Sequence, residues 1–193
     1  MEIIVATNNQ GKLLEMQQGI YDSNISLVSY QKYSQIAEKP QEAGQTYFEN
    51  AYLKAKFYQA KLKQPVLADD GGLELVAFPE ILGLKTQRFF KSSDPLDQNQ
   101  EILALFQNTK TSKKVTLKAT LVYLMDESNY LTSEASLVGE IVPPKGTMGY
   151  GFDSIIKIPA LNKTLAEMTD FERAHYSPRI QALKKILLKI KGD

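Results

Sequence analysis

The sequence contains no cysteine among its 193 residues. Disulfide bonds, thiolate catalysis and zinc–thiolate sites are therefore excluded. The single histidine, His175, cannot form a metal site built from several histidines, and no nucleophile-elbow motif accompanies it to make a serine–histidine–aspartate triad.

Long apolar stretches are also missing from the sequence. No run approaches the roughly eighteen apolar residues of a transmembrane helix. The N-terminus, Met-Glu-Ile-Ile-Val-Ala-Thr-Asn, lacks both the basic region and the long apolar region of a secretory signal. We therefore expect a cytoplasmic protein with no membrane partner.

A strong charge of either sign is absent, because 23 basic residues face 22 acidic residues and leave a net charge of +1. This balance argues against a protein that coats nucleic acid by bulk electrostatic attraction, so no nucleic-acid partner is expected. Only three of the basic residues are arginines, Arg88, Arg173 and Arg179. Their rigid guanidinium groups suit fixed recognition of phosphate or base edges, which makes these positions candidates for binding.

The first half of the chain alternates strand and helix patterns. Residues 3–6 form a continuous apolar run typical of a buried parallel strand, and helical spacing of apolar residues begins at Lys12. Thr46 and Glu49 have the spacing of a capping box at the start of a second helix, which extends to about residue 63. Further segments are predicted as strands at 26–30 and 65–68, a polar turn at 69–72 and a helix at 95–106.

The second half begins with a period-two pattern. Apolar residues alternate over 115–125, a turn follows at 126–129, and a second extended run covers 130–142, which together predict a long antiparallel hairpin over about residues 113–142. A short strand at 155–158 and a C-terminal helix after Ser177 complete the pattern. We predict an α/β protein with a mixed sheet and flanking helices, one domain over residues 1–193 with two lobes around a central cleft.

Two polar segments follow predicted strands. Residues 7–12 combine a loop, the start of a helix, Gly11 and Lys12, which is the chemistry of a phosphate cradle, although an ordinary connection capped by asparagine has the same composition. Asp69 and Asp70 directly follow an apolar strand, where adjacent carboxylates can bind Mg²⁺ or activate water, and a solvated turn is the alternative.

Three further groups are weaker candidates. Glu42 lies in a predicted loop from which it could reach a metal, and Asn50 and Lys54 share one helix face. Residues 149–153 place glycines around aromatic rings, as in a stacking platform for a flat base, although a loop that anchors the core is the alternative. Arg179 falls in the first turn of the last helix, where a surface arginine is the alternative.

In combination, these segments resemble the inosine/xanthosine triphosphate pyrophosphatase family, whose members hydrolyse deaminated purine nucleotides. The similarity covers almost the whole chain in order. The segments that carry it are Ala-Thr-Asn-Asn-Gln-Gly-Lys at 6–12, Gly-Gln-Thr-Tyr-Phe-Glu-Asn-Ala at 44–51, Ala-Asp-Asp-Gly-Gly-Leu at 68–73, Arg88, Gly-Tyr-Gly-Phe-Asp at 149–153, Lys-Thr-Leu-Ala-Glu-Met at 163–168 and Ser-Pro-Arg at 177–179.

The resemblance implies an Mg²⁺-dependent cleavage of ITP, dITP or XTP between the α and β phosphates in the central cleft. It implies Asp70 as general base and metal ligand, Glu42 as metal ligand, Asp69 in a supporting role, and Lys54 within the catalytic group and at the triphosphate. It also implies a homodimer. The substrate-binding residues that it implies are Thr7, Asn9 and Lys12 at the phosphates, Tyr150 stacked on the purine, and Asp153, Arg173, Ser177 and Arg179 at the base.

The sequence departs from the family pattern mainly at the base end. Gly71 replaces a serine, Ser154 replaces a proline, Arg173 replaces a lysine, and Pro178 replaces a histidine. The segment at 85–89 also differs, and its Arg88 matches a family arginine without an assigned role. Two alternatives therefore stay open: a pyrophosphatase of the same family with a shifted base preference, and a nucleotide-binding protein without turnover.

Overall fold

The computed structural model describes residues 1–20, 22, 24–107 and 109–192. The side chains of Gln87 and of the predicted candidate Arg88 also lie outside the described part.

Strands and helices alternate in the first half of the chain and strands dominate the middle. The strands are β1 (Glu2–Val5), β2 (Ser26–Ser29), β3 (Val66–Leu75), β4 (Lys114–Leu124), β5 (Tyr130–Ile141), β6 (Ile156–Ile158) and β7 (Lys163–Thr164). The helices are α1 (Gln10–Gln18), α2 (Tyr47–Leu62), α3 (Thr86–Phe89), α4 (Pro95–Leu105), α5 (Asp170–Tyr176) and α6 (Pro178–Lys191).

The strands form one sheet in the order β2-β1-β3-β4-β5-β6-β7. β1 pairs in parallel with β2 and β3, whereas β6 pairs antiparallel with β5 and β7. The hairpin of β4 and β5 is antiparallel, because Met125 N–H donates to Asn129 O near the turn and Ile141 N–H donates to Lys113 O at the far end. The predicted mixed α/β sheet and long hairpin are therefore confirmed.

Helix starts follow the capping chemistry of the sequence. The hydroxyl of Thr46 accepts a hydrogen bond from Glu49 N–H and begins α2, as predicted. Glu49, however, accepts from Gln45 N–H, one residue before the position that a capping box requires. Pro178 occupies the first position of α6, where its missing N–H costs no hydrogen bond.

The predicted polar turn at residues 69–72 is wrong, because β3 continues through it to Leu75. The reason is burial on both sides of the polar residues: Leu67 and Ala68 before them and Leu73 and Leu75 after them are almost inaccessible to solvent and belong to one extended strand. Asp69 and Asp70 are consecutive strand residues, so their side chains point to opposite faces of the sheet.

The chain divides into two compact units. The first consists of Met1–Gly71, Ala119–Ala135 and Pro178–Asp193, and the second of Gly72–Lys118 and Ser136–Ser177. In the first unit the sheet has a core on each face. One core contains residues of β1, α1 and α6, and the other contains residues of β1, β3 and α2. The second unit has a core of its own, to which β3, α4, β6 and the segment after β7 contribute.

Within the described part of the chain, no helix combines the length and the hydropathy that crossing a membrane requires.

Candidate active site

The loop after β1 is ordered by its own side chains. Asn9 is the N-cap of α1, and its Oδ1 accepts a hydrogen bond from Lys12 N–H at 3.2 Å. Thr7 Oγ1 accepts from Asn9 N–H at 3.1 Å, and Asn8 Oδ1 accepts from the hydroxyl of Tyr30. The first N–H groups of a helix give this end a partial positive charge, so the predicted strand, loop and helix form a surface suited to an anion.

Asp69 is the buried centre of the polar residues in the first unit. Its Oδ2 lies 2.9 Å from Lys12 Nζ and 3.0 Å from Arg179 Nε, and its backbone carbonyl accepts from Lys54 Nζ at 2.9 Å. Burial by itself would raise the pKa of Asp69, but the charges of Lys12, Arg179 and Lys54 outweigh it and hold that pKa well below its usual range. Asp69 is therefore ionised at neutral pH.

Lys54 connects this aspartate with the other two carboxylates. Its Nζ lies 3.0 Å from Glu42 Oε1 and 3.9 Å from Asp70 Oδ1. Burial alone would lower the pKa of Lys54, but Asp69, Glu42 and Asp70 together raise it above its usual value. Lys54 is thus a fixed positive charge. We call the set that these contacts define the carboxylate–lysine cluster: Lys12, Glu42, Lys54, Asp69, Asp70 and Arg179.

Asp70 differs from its neighbour in its protonation. Its side chain is 14% exposed, and burial raises its pKa although Lys54 and Lys12 act in the opposite direction. A carboxylate with a raised pKa accepts a proton more readily than an ordinary aspartate. Among the two aspartates, Asp70 is therefore the one suited to act as a base.

The two predicted metal ligands approach the same ammonium group. Glu42 and Asp70 both contact Lys54, as described above, and the described residues contain no group of three or more histidine, aspartate or glutamate side chains placed to hold a metal. Mg²⁺ commonly binds proteins through one or two carboxylates and completes its coordination with waters and substrate phosphates. This pair of carboxylates fits that pattern.

Glu15 is a member of the site that the sequence reasoning missed. Its carboxylate binds Arg179 Nη1, while Arg179 Nε binds Asp69. The side chain of Glu15 is 7% exposed on α1, one turn after Lys12, and this spacing from a candidate lysine was the available signal. Arg179 lies in the first turn of α6 as predicted, and its described ion pairs are with these two carboxylates. Its role at the base stays a prediction.

In the second unit, residues 149–154 form what we call the aromatic loop. Gly149 and Gly151 have φ angles of 77° and 61°, in the left-handed region that favours glycine. Asp153 Oδ2 accepts from Tyr150 N–H at 3.0 Å, and a Cβ at Gly149 would lie 2.0 Å from that oxygen. Glycine is therefore required at 149 for this loop to close, and the half-buried Tyr150 lies at its centre.

The predicted base-end residues of this unit lie together. Arg173 Nη1 is 3.0 Å from Asp153 Oδ2, and the Arg173 side chain is 6% exposed. Ser177, which is buried, donates its backbone N–H to Arg173 O at 2.8 Å at the end of α5. Asp153, Arg173 and Ser177 are thus connected with Tyr150 through one hydrogen-bonded group.

Asn99 on α4 was not predicted from the sequence. Its Nδ2 donates to Gly151 O at 3.1 Å and to Ser154 Oγ at 3.3 Å. The sequence pattern of α4 does not distinguish Asn99, which is 4% exposed, from the exposed amide of its neighbour Gln100.

Comparison with known families identifies the chain at family level. The family model described as the Ham1 family matches residues 3–189. The chain belongs to the Ham1 family.

Two curated relatives of this Ham1-family chain carry the same name. A dITP/XTP pyrophosphatase of Exiguobacterium sibiricum is 36% identical over 190 residues, which cover 96% of this chain and 95% of the relative. A dITP/XTP pyrophosphatase of Thermus thermophilus is 32% identical over 189 residues, covering 97% of this chain and 90% of the relative. The family resemblance inferred from the motifs is confirmed.

Solved structures of Ham1 proteins have the same fold. A HAM1 protein from Coxiella burnetii aligns over 100% of both chains with a TM-score of 0.85 and 28% identity. The Ham1 protein of Staphylococcus aureus aligns with a TM-score of 0.83 and 25% identity over 100% of this chain and 99% of that one. These alignments confirm the α/β fold class of the family member described here.

Proposed function

We propose that this Ham1-family chain hydrolyses the deaminated purine nucleotides ITP, dITP and XTP to the nucleoside monophosphate and pyrophosphate. The observation that carries the proposal is the carboxylate–lysine cluster, in which an ionised Asp69 holds two cations beside a second aspartate with a raised pKa. The names of the curated relatives, dITP/XTP pyrophosphatase, support this reaction and this substrate class.

The triphosphate is bound by positive charge that is concentrated at two lysines and at the start of α1. Lys12 and Lys54 carry full charges, and the start of α1 adds backbone N–H groups together with the side chains of Thr7 and Asn9. Asp69 keeps the ammonium of Lys12 in place through their 2.9 Å ion pair. A chain with a net charge of +1 can therefore bind a highly charged nucleotide.

Asp70 is the general base of the proposed reaction. It takes a proton from the attacking water, whose oxygen forms a bond to the α phosphorus. The bond between the α phosphorus and the bridging oxygen breaks, and pyrophosphate leaves with the electron pair of that bond. Glu42 and Asp70 would hold Mg²⁺, which when bound neutralises phosphate oxygens. Lys54 lies beside both carboxylates, at the place where Mg²⁺ and the phosphates would bind. Its positive charge therefore stabilises the negative charge that develops on the phosphate oxygens.

The base is recognised by the residues that the family resemblance assigns to it. Tyr150 stacks on the purine, and Asp153, Arg173, Ser177 and Arg179 line the base end. A guanidinium group only donates hydrogen bonds, so it can donate to the 6-oxo oxygen of hypoxanthine or xanthine but not to the 6-amino group of adenine.

A substrate panel tests the reaction. Purified protein with Mg²⁺ is assayed for pyrophosphate release from ITP, dITP, XTP, GTP and ATP, and the deaminated nucleotides should exceed ATP in kcat/KM by about a hundredfold. Chelation with EDTA should remove the activity, and Mg²⁺ should restore it. Tight ITP binding without pyrophosphate release would instead support a binding protein without turnover.

Asp70→Asn tests the mechanism. The variant should lose at least about a hundredfold in kcat, because the amide cannot accept the proton of water. Asp97→Asn is the matched control, since it makes the same change at an exposed position of α4. Full activity of Asp70→Asn would show that another group is the base.

A shifted base preference is the second candidate. Arg179 forms ion pairs with the carboxylates of Asp69 and Glu15, and Pro178 before it has no N–H and no imidazole. The panel widened to pyrimidine and methylated nucleotides separates the two candidates, because a shifted enzyme would prefer one of these over ITP.

The remaining parts of the proposal rest on the resemblance. They are a single domain over residues 1–193, action in the cytoplasm, and a homodimer. Size-exclusion chromatography with light scattering tests the homodimer, since a monomeric mass at micromolar concentration would contradict it.

A further inference from the structure

We propose that Asn99 is a positioning residue that fixes the aromatic loop and thereby the ring of Tyr150. The inference rests on the proposed function, because it takes Tyr150 as the residue that stacks on the purine. It adds a residue of α4 to the base-binding machinery of the second unit.

The Asn99 amide spans the end of the loop with two hydrogen bonds. Its Nδ2 reaches the carbonyl of Gly151, directly after Tyr150, and the hydroxyl of Ser154. The orientation of the amide is settled by Gly151 O, which can only accept and so requires the nitrogen on that side. Ser154 stands where the family has proline, so this chain supplies a partner hydroxyl that the family pattern lacks.

The unpaired side of the same amide supports this role. Asn99 is 4% exposed, and no described residue hydrogen-bonds to its Oδ1. An unsatisfied buried acceptor carries a desolvation cost, so an apolar residue would suit this helix position better if packing alone mattered. The two hydrogen bonds to the loop are what the amide provides and an apolar side chain could not.

The Cβ side of Gly151 faces open space. A Cβ built at this position would meet no atom within 4 Å, and its φ of 61° is a conformation that most residues avoid. On the other side of Tyr150 the chain is fixed, because Met148 N–H donates to Ala166 O at 3.0 Å. After Gly151 the chain is held again, because Asp153 N–H donates to Tyr150 O at 3.2 Å and Ala166 N–H donates to Asp153 O at 3.1 Å. Between these fixed points, the Asn99 amide holds the carbonyl of Gly151.

Phe152 anchors the loop at a different point. Its ring belongs to the core of the second unit and lies 5.7 Å from the ring of Phe90. This contact ties the loop to the unit without fixing the peptide at Gly151. Loss of the Asn99 bonds should consequently loosen residues 149–151 while the unit stays folded.

The test is Asn99→Asp, an isosteric change that removes the donor and places a carboxylate oxygen against Gly151 O. Gln100→Glu is the matched control, because it makes the same amide-to-carboxylate change at the exposed neighbouring position. We expect KM for dITP to rise about tenfold in Asn99→Asp, while kcat stays within about twofold of the wild-type value. The reason is that a displaced Tyr150 weakens binding of the purine ring equally in the ground state and in the transition state. Gln100→Glu should match the wild type.

Two further measurements keep the proposal falsifiable. Hydrogen–deuterium exchange of peptides that cover residues 149–154 should accelerate in Asn99→Asp and not in Gln100→Glu. Ser154→Ala removes one acceptor of the Asn99 amide and leaves Asn99 intact, so it should raise KM by about threefold. This variant tests the same hydrogen bonds if Asn99→Asp does not fold. Unchanged loop exchange, or a loss confined to kcat, would overturn the proposal.

Failure of the proposed function gives a different result. If the wild type releases no pyrophosphate from any nucleotide of the panel, the function is wrong, while the exchange measurement still reports whether Asn99 holds the loop. An active wild type with an Asn99→Asp variant that equals Gln100→Glu in both KM and exchange refutes this inference alone.

Discussion

At the scale of single residues, two adjacent aspartates of one strand have opposite properties. Asp69 is buried against two cations, and its pKa is held far below the usual range, whereas burial raises the pKa of the more exposed Asp70. The difference arises because alternate strand residues face opposite sides of the sheet. Asp69 therefore belongs to the electrostatic frame of the cluster, and Asp70 has the raised pKa that its proposed role as the base requires.

Asp69→Asn should separate these two roles. The neutral amide leaves Lys12 without its counter-charge and Arg179 with Glu15 alone, which should lower the free energy of unfolding by about 3–5 kcal/mol. Asp70→Asn should change it by less than about 1 kcal/mol, since a group whose pKa is raised by burial gains nothing from its charge. Urea denaturation measures the free energy of unfolding of both variants. Equal values would contradict the proposal that Asp69 stabilises the cluster through its ion pairs.

The same ion pairs give a pH dependence with a defined sign. The folded-state pKa of Asp69 lies below its unfolded value of about 3.9, so its ionisation stabilises the fold fully above that pH. This contribution is lost as the pH falls from there toward the folded-state pKa. The stability gap between wild type and Asp69→Asn should accordingly narrow on acidification below about pH 4, and a gap that widens would be evidence against the lowered pKa.

At the scale of secondary-structure elements, capping residues determine where the site helices begin. Thr46 begins α2, which carries Lys54 two turns later. The start of this helix was predictable because a hydroxyl that accepts from an N–H three residues on is a local interaction. The extent of β3 was not predictable, because Asp69 and Asp70 have the composition of a turn and only their place in the sheet keeps them extended.

Thr46→Ala should lower the free energy of unfolding by about 1 kcal/mol, because it removes the hydroxyl that satisfies Glu49 N–H. Thr46→Ser retains that hydroxyl and is the control, with an expected loss below about 0.5 kcal/mol. Chemical denaturation measures both changes. If serine costs as much as alanine, the methyl group of Thr46 and not its hydroxyl stabilises the helix.

At the scale of the whole molecule, the first unit is discontinuous in sequence. α6, at the end of the chain, packs its apolar face into the same core as β1 and α1 at the beginning. The apolar face of α6 could be recognised in the sequence, because lysines occupy many of the other positions of this helix. Its partner was not visible, because a helical pattern shows which face is buried and not what covers it.

Ile186→Ala tests this long-range packing. Ile186 is inaccessible to solvent, so the truncation should cost about 2–5 kcal/mol and should accelerate amide exchange in β1. Leu188→Ala on the same helix is the control, because Leu188 is 52% exposed and should cost less than about 0.5 kcal/mol. Normal protection of β1 in Ile186→Ala would contradict the shared core.

The α/β class, the hairpin, the start of α2 at Thr46 and the family follow from the sequence alone, because strand and helix periodicity, capping and ordered motifs are properties of neighbouring residues. The sequence also identified the carboxylates and lysines of the cluster as candidates. The folded structure was needed to show that Asp69 lies between Lys12 and Arg179, that Glu15 binds the same arginine, and that Asn99 reaches the aromatic loop. These contacts join residues far apart in the chain, and a charge or an amide acquires its partner, its burial and its pKa only when folding brings such residues together.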